Sequence, residues 1–331
     1  MDAKYADSLG FFAPPGVAPI FGPNRPGVSL IHLTSVPPLS KFMNFEEARI
    51  AHYRFRQQAL SNPGTHEILT AADLDRPGSI GIIFGTQHMP RDMTLNRMQL
   101  LYDVGVRVMA LAYQGTTEYG NGFAVPLGGL TQRGGEVIRM MADVGMILDL
   151  SHANSATATG ALTLISRQNI QISLMASHSG FNEEFRHERN LTSSIAWEIR
   201  YLKGHVGIPA VTFMLTKKLA EDRSYLPAFA QHVARAIAVC GAKTVGIGSD
   251  CIHGNMTMFE ANNYFEEMSR MLNASGAFGA YFPDRPTELI AHGQEMFTVF
   301  ERALAGFETE IRAGVLGENF MAFLRRSLPQ A

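Results

Sequence analysis

Two Ser-His pairs are the places in this sequence best suited to chemistry. Each ends a short apolar run of strand length: Met146-Ile-Leu-Asp-Leu-Ser-His152 and Ile172-Ser-Leu-Met-Ala-Ser-His178. A neutral imidazole is the commonest side-chain ligand for a transition metal. A third run, from Thr244, ends Gly248-Ser249-Asp250. Two histidines and a carboxylate at strand ends make a three-ligand set for catalytic zinc, with a fourth position left for water. Such a water becomes a nucleophile toward carbonyl or phosphoryl groups. Asp250 alone also reads as a cap on the segment that follows, and both readings stay open. His253, three residues on, can approach the same site or simply be a solvated loop histidine. Gln87-His88 and Tyr113-Gln114 end two further strands. His32, inside an apolar run, reads as a hydrogen-bonded core residue, and Asp149 as a group that orients a neighbour.

The elements that must position these groups alternate. Between the two Ser-His runs, Ser155 to Gln168 carries Ala, Leu and Ile at helical spacing, so the unit is strand, helix, strand. Parallel strands joined by helices put their C-terminal ends on one face, where such folds build sites. Upstream, strands are predicted over Val28–Val36, Ile80–Gly85 and Arg107–Ala112, with helices over Phe45–Leu60 and Thr94–Val104. A Gly- and Thr-rich excursion from Gly115 to Gly129 reads as a site-covering loop. Thr131 reads as an N-cap for a helix ending near Asp143. Downstream come a polar loop over Phe181–Thr192, a helix over Ser194–Leu202, a strand over His205–Val211, a helix over Leu226–Cys240 and a strand over Thr244–Gly248. From Phe259 the chain reads as helical, broken at Pro283 and Pro286.

Seven strands are clear. An eighth, within Ser8 to Ala13, is weaker because Pro14, Pro15, Pro23 and Pro26 interrupt the first 26 residues. Alternation without a linker predicts an α/β fold, a (β/α)8 TIM-type barrel, with an irregular segment over 1–26 and a single domain over 27–331 whose last part is helical. A doubly wound open sheet fits less well, since no Gly-rich phosphate loop follows the first clear strand.

Composition narrows the function classes. A hydrophobic fraction of 46% over 331 residues supports a sizeable core. A net charge of −2 with scattered Lys and Arg gives no reason to expect nucleic acid or an anionic membrane as a partner, leaving a small-molecule substrate. Two cysteines, Cys240 and Cys251, are too few for a disulfide framework and fit a reducing compartment. With no leader-like opening and no long apolar run, the expected location is cytoplasmic.

The order Asp149-Leu-Ser-His152, Ser177-His178-Ser179, Arg189-Asn190-Leu191 and Gly248-Ser249-Asp250 resembles the membrane (renal) dipeptidase family. Leu100 to Leu111, Leu130-Thr131 with Gly134, and the tail Gly317-Glu-Asn-Phe320 are similar to further motifs of that family, in register from about residue 27 onward. The resemblance implies an amidohydrolase-type barrel, two zinc ions, dipeptide hydrolysis and a homodimer. It places His152 and His178 on the second zinc, Arg189 on the substrate carboxylate and Asp250 on the first zinc as the proton-handling aspartate. Asn190, Gln87 and Tyr113 are further candidates for substrate contacts, with Tyr113 beside Asp250 as a candidate catalytic group.

Three departures weaken the binuclear expectation. Counting back from Gly27 puts Ala13-Pro14-Pro15-Gly16 where the family carries His-x-Asp. Gln87 stands for a bridging glutamate and Tyr113 for a substrate-side histidine. The expectation is therefore one zinc ion or none, held by His152 and His178 and completed from Gln87, His88, Asp250 or His253. Three functions follow. The first is a metal-dependent hydrolase of an amide-type bond in a small carboxylate-bearing substrate. The second is a lyase, isomerase or tailoring enzyme using Tyr113, His178 and Asp250 as acid–base groups. The third is an inactive homologue, against which the joint presence of Arg189, His152 and Asp250 speaks.

Overall fold

The computed structural model describes residues 5–12, 28–36, 43–217, 225–253 and 296–330, together with Glu260, Asn263, Glu267 and Arg270. Its strands are β1 (Tyr5–Phe12), β2 (Val28–Thr34), β3 (Thr65–Glu67), β4 (Ile80–Thr86), β5 (Val106–Ala110), β6 (Ile147–Asp149), β7 (Leu174–Ala176), β8 (His205–Ile208), β9 (Val245–Ile247) and β10 (Cys251–His253). Eight of them, β1, β2 and β4 to β9, run parallel in that order, and β1 meets β9 at Asp7 opposite Ile247, so the sheet closes into a barrel. Short β3 lies beside the start of β4, and β10 extends the seam beside the end of β1.

Two apolar layers hold this arrangement. Inside the barrel, Ala6, Leu30, Ile83, Val108, Ile147 and Met175 meet Phe320, Phe323 and Leu324 of the C-terminal helix. These aromatic side chains plug the end of the barrel away from the Ser-His pairs. The opposite faces of the strands pack on the helices through Ile31, Leu33, Ile82, Phe84, Leu148 and their neighbours. The strands therefore read as nearly continuous apolar runs, as a sheet covered on both faces requires.

The helices start and stop where local chemistry dictates. They are α1 (Phe45–Leu60), α2 (Leu95–Asp103), α3 (Gln132–Val144), α4 (Ser155–Gln168), α5 (Ser193–Tyr201) and α6 (Leu226–Cys240). Asn44, Thr94, Thr131, Asn154 and Thr192 each accept a hydrogen bond from an otherwise orphaned backbone N–H, a contact worth about 1 kcal/mol per helix. Gly145 and Asn169 end α3 and α4 in the left-handed region that these residue types tolerate.

The sequence reading differs from the structure at both ends. The barrel does not begin at residue 27, because β1 lies within the segment 1–26 and forms the seam. The prolines that weaken the strand signal all follow β1, so they mark its end. The first strand is Tyr5–Phe12, and the expectation that Ala13-Pro14-Pro15-Gly16 stands there falls on residues outside the described ones. Most of the expected helical region from Phe259, with Pro283 and Pro286, also lies outside them, whereas Met296–Ala303 and Asn319–Ser327 are helices. Strands β3 and β10 have three residues each, too short for a periodicity signal.

Candidate active site

The tip of β6 is built around the Asp149 carboxylate. Its Oδ1 accepts from the Ser151 N–H (3.0 Å), the Ser151 hydroxyl (2.7 Å) and the Ser177 N–H (3.0 Å), and its Oδ2 from the Ser177 hydroxyl (2.5 Å). Both serine protons are thereby assigned. Ser177 Oγ can then only accept from His178 Nδ1 at 2.7 Å, so His178 carries its proton on Nδ1 and its Nε2 is a bare lone pair. That nitrogen faces His152 Nε2 at 2.9 Å, with both rings buried.

Arg189 closes this cluster from above. Its Nη1 donates to the Ser151 carbonyl, and its Nη2 lies 3.2 Å from the His178 carbonyl and 3.3 Å from His152 Nε2. Burial, then the Arg189 cation, push both imidazoles well below the usual histidine range, with His178 and His88 adding to the effect on His152 and His32 to that on His178. Both rings are thus neutral at pH 7, the form a metal ligand needs. Tyr113 stacks on His152 with ring centroids 4.0 Å apart, and Phe123 packs at 5.8 Å. Burial and then the Asp250 charge raise the Tyr113 phenol far above its ordinary range, so it stays protonated.

Asp250 stands across from His178, its Oδ1 3.9 Å from Nε2, on a backbone in the left-handed region (φ 57°). Its side chain is 15% exposed. Burial raises its carboxyl to about 7, against the lowering pull of Arg189 and with a further push from Asp7. A carboxyl so poised exchanges protons near neutral pH.

At the barrel seam the Asp149 arrangement recurs with a different outcome. Asp7 accepts from the Leu9 N–H, the Ser249 N–H and the Ser249 hydroxyl, as Asp149 does from Ser151 and Ser177. Its remaining partner is His253, whose Nε2 lies 2.7 Å from Oδ2. Gly10 stands two residues past Ser8 as His152 stands two past Leu150, and a Cβ there would fall 2.4 Å from the His253 ring. The imidazole of His253 thus fills the space a side chain at Gly10 would need. Asp7 is fully engaged and buried.

A scan against family models matches residues 62–273 to Membrane dipeptidase (Peptidase family M19). The chain belongs to this family. A dipeptidase of Schizosaccharomyces pombe is 29% identical over 181 residues, 52% of this chain and 42% of that protein. Dipeptidase verJ of Clonostachys rogersoniana is 30% identical over 156 residues, 46% and 38% of the two chains. The matched stretch is therefore less than half of either relative. Among solved structures, an amidohydrolase from Pseudomonas aeruginosa superposes with a TM-score of 0.78 at 18% identity, covering 98% of this chain and 96% of that one. A metallo peptidase from Rhodobacter sphaeroides, liganded with a phosphinate mimic of the dipeptide L-Ala-D-Ala, gives 0.71 at 17%, covering 99% and 100%. These likenesses agree with the closed barrel.

In this dipeptidase-family member the side chains with the chemistry to hold a metal ion are His152 and His178. Two bare or bareable Nε2 atoms 2.9 Å apart repel unless a cation or proton lies against them, and Asp250 offers the nearest carboxylate. Among the described residues the seam offers no donor set for a second ion. At the seam Asp7 has no lone pair free of a donor, Leu9 and Gly10 bring no ligand atom, and Gln87 is a neutral amide. Among the described residues no group of three His, Cys, Asp or Glu side chains is close enough to hold a metal as placed.

The sequence candidates divide accordingly. His152, His178, Arg189, Tyr113 and Asp250 come together. His253 does not join them, because it is bound to Asp7. Asn190 is committed to its own loop, its Oδ1 accepting from the Gly180 N–H and its Nδ2 donating to the Phe185 and Met214 carbonyls, so a substrate contact from its amide is not available in this arrangement. Gln87 and His88 are buried at the end of β4. Asp7 and the paired serines were missed as a unit. The repeated pattern of a carboxylate near the end of one strand and a serine at the end of the next, Asp149 with Ser177 and Asp7 with Ser249, was the available signal.

Proposed function

We propose that the protein is a one-metal hydrolase of an amide-type bond in a small, carboxylate-bearing substrate. The observation that carries this reading is the convergence of His152 Nε2 and His178 Nε2 beside Asp250, under a buried arginine. His152 and His178 would hold the ion, with Asp250 the carboxylate beside it. Bound there, zinc supplies Lewis acidity that polarises the scissile carbonyl and activates water. Asp250, poised at about 7, takes the proton from the attacking water and returns it to the leaving nitrogen. Arg189 turns its planar fork from the Ser151 and His178 carbonyls toward the substrate carboxylate, a bidentate match. Tyr113, protonated throughout, covers the His152 ring and excludes water from that face.

Elemental mass spectrometry on protein purified without added metal or chelator tests this reading. About one zinc per chain in wild type, absent in His152→Ala, together with chelator-sensitive hydrolysis of a peptide or lactam panel, is the expected result. Two ions per chain, or no metal and no metal-dependent turnover on adding zinc, overturn it. One observation favours a second reading: Arg189 already places a cation 3.3 Å from His152 Nε2. If turnover survives chelation, acid–base chemistry by Asp250 without a metal replaces the hydrolase.

A further inference from the structure

The barrel mouth has a second half, formed by the ends of β2, β4 and β5, which the zinc site does not use. Alternation along the strands continues from the interior residues Leu30 and Ile83 to His32 and Thr34 on β2 and to Gly85 on β4, with Gln87 following. Thr34 and Gly85 are register partners. His32 passes over the bare Gly85, whose Cβ would lie 2.3 Å from its Nε2. His32 Nδ1 donates to the Ser8 carbonyl at 2.6 Å, so its Nε2 is a bare acceptor.

Five polar side-chain atoms above this point have no hydrogen-bond partner among the described residues. His32 Nε2, Thr34 Oγ1, both amide atoms of Gln87 and Gln114 Oε1 are buried without one. These side chains are at most 6% exposed. Three unmet acceptors, one unmet amide donor group and one hydroxyl thus line adjacent strand ends. Buried polar atoms are nearly always satisfied, so this cluster calls for a ligand with matching groups. The C-terminal ends of β2, β4 and β5, residues 32–36, 84–88 and 110–114, bear no Asp, Glu, Lys or Arg. The carboxylates whose charge acts on His32, Asp149 and then Asp7, are each committed to four donors and offer the subsite no free acceptor. An ammonium, which only donates, would leave the Gln87 amino group without an acceptor, whereas an amide brings both an N–H and a carbonyl to match the unmet donor and acceptors.

We propose that this face is a neutral amide subsite, which takes the acylated, uncharged nitrogen end of a substrate whose carboxylate meets Arg189. The proposal rests on the carboxylate-bearing substrate of the hydrolase reading and narrows it from free dipeptides to N-acylated ones. Gln87 is the specificity residue, its carbonyl accepting the ligand N–H and its amino group donating to the acyl oxygen.

Titration calorimetry of the protein as purified, at pH 7.5, with N-acetylglycylglycine and glycylglycine tests it. The acetylated peptide is expected to bind at least about tenfold tighter, on the scale of one buried hydrogen bond and an avoided charge burial. Gln87→Leu should abolish the preference by weakening the acetylated peptide alone, and Gln87→Glu should reverse it. Thr34→Val, nearly isosteric, gives a second variant with a smaller loss in the same direction if the Gln87 variants melt early. Equal or tighter binding of glycylglycine, no binding of either peptide, or an unchanged preference in folded Gln87→Leu overturns the subsite. Hydrolysis is read separately. Preferential binding without metal-dependent release of glycine keeps the subsite and sinks the hydrolase, and cleavage of both peptides at equal affinity does the reverse.

Discussion

His152 Nε2 and His178 Nε2 face each other at 2.9 Å, and only one of the two has its tautomer fixed by the protein. The chain Asp149–Ser177–His178 assigns the proton of His178, whereas His152 Nδ1 has no protein partner. The pair is therefore half preorganised.

Removing the fixed half should be costly for metal. Ser177→Ala leaves His178 Nδ1 without its acceptor and frees the ring to turn. Zinc affinity, measured by competition with a chromophoric chelator, should fall about 10–100-fold, the usual effect of losing an orienting partner. An unchanged affinity would mean that packing alone orients the ring.

Arg189→Gln should separate metal from substrate. The guanidinium lies 3.3 Å from His152 Nε2, so its removal should raise zinc affinity several-fold while KM for a carboxylate-bearing substrate rises about tenfold or more. Two buried carbonyls lose the guanidinium donor; that of His178 costs about 1–3 kcal/mol of stability, and that of Ser151 less, because it keeps a long contact from the Ser179 hydroxyl. Zinc affinity that falls instead would make Arg189 a support of the metal site.

Asp250 links stability to pH. Its carboxyl is raised to about 7, so the folded chain binds this proton more tightly than the unfolded chain does. The native state then holds more protons than the unfolded state between about pH 4 and 7, and this group makes stability fall as pH rises through that window. Asp250→Asn should therefore raise Tm at pH 8 relative to wild type, with the difference closing toward pH 4. A constant difference across that range would contradict the raised value. In wild type kcat/KM should rise through pH 7 as the carboxylate forms, and Asp250→Asn should lose at least 100-fold.

Gly10 and His253 should be energetically coupled. A Cβ at Gly10 falls 2.4 Å from the imidazole, so Gly10→Ala should cost about 1–3 kcal/mol by overpacking. His253→Ala removes the obstacle, and the double variant should be more stable than the sum of the single losses predicts. Additive losses in urea titrations would mean that the seam relaxes by another route.

The barrel was legible because strands covered on both faces are apolar runs and helices repeat every few residues. α1, α4 and α6 match their predicted bounds, each marked by a cap, a glycine or a proline near its ends. The seam was not legible. β1 carries Asp7, Ser8 and Gly10, buried polar or small residues that interrupt its apolar run, and its register comes from contacts with β9 and β10 far along the chain. His152, His178 and Asp250, candidates by residue type and strand-end position, do come together in the structure. The role of Asn190 could not be read in the same way, because an amide that braces a loop and one that binds a substrate look alike until its partners are placed.

Asp7 and Ser249 lie 242 positions apart, and their contact joins β1 to the last parallel strand of the barrel. A loop of that size closes late and slowly. β1 emerges from the ribosome before its second neighbour has been made, so the growing chain is an open sheet with an unpaired edge. Synthesis must reach Ser249 before that edge is covered, and the interval exposes the nascent protein to edge-to-edge association and to chaperones that bind such edges.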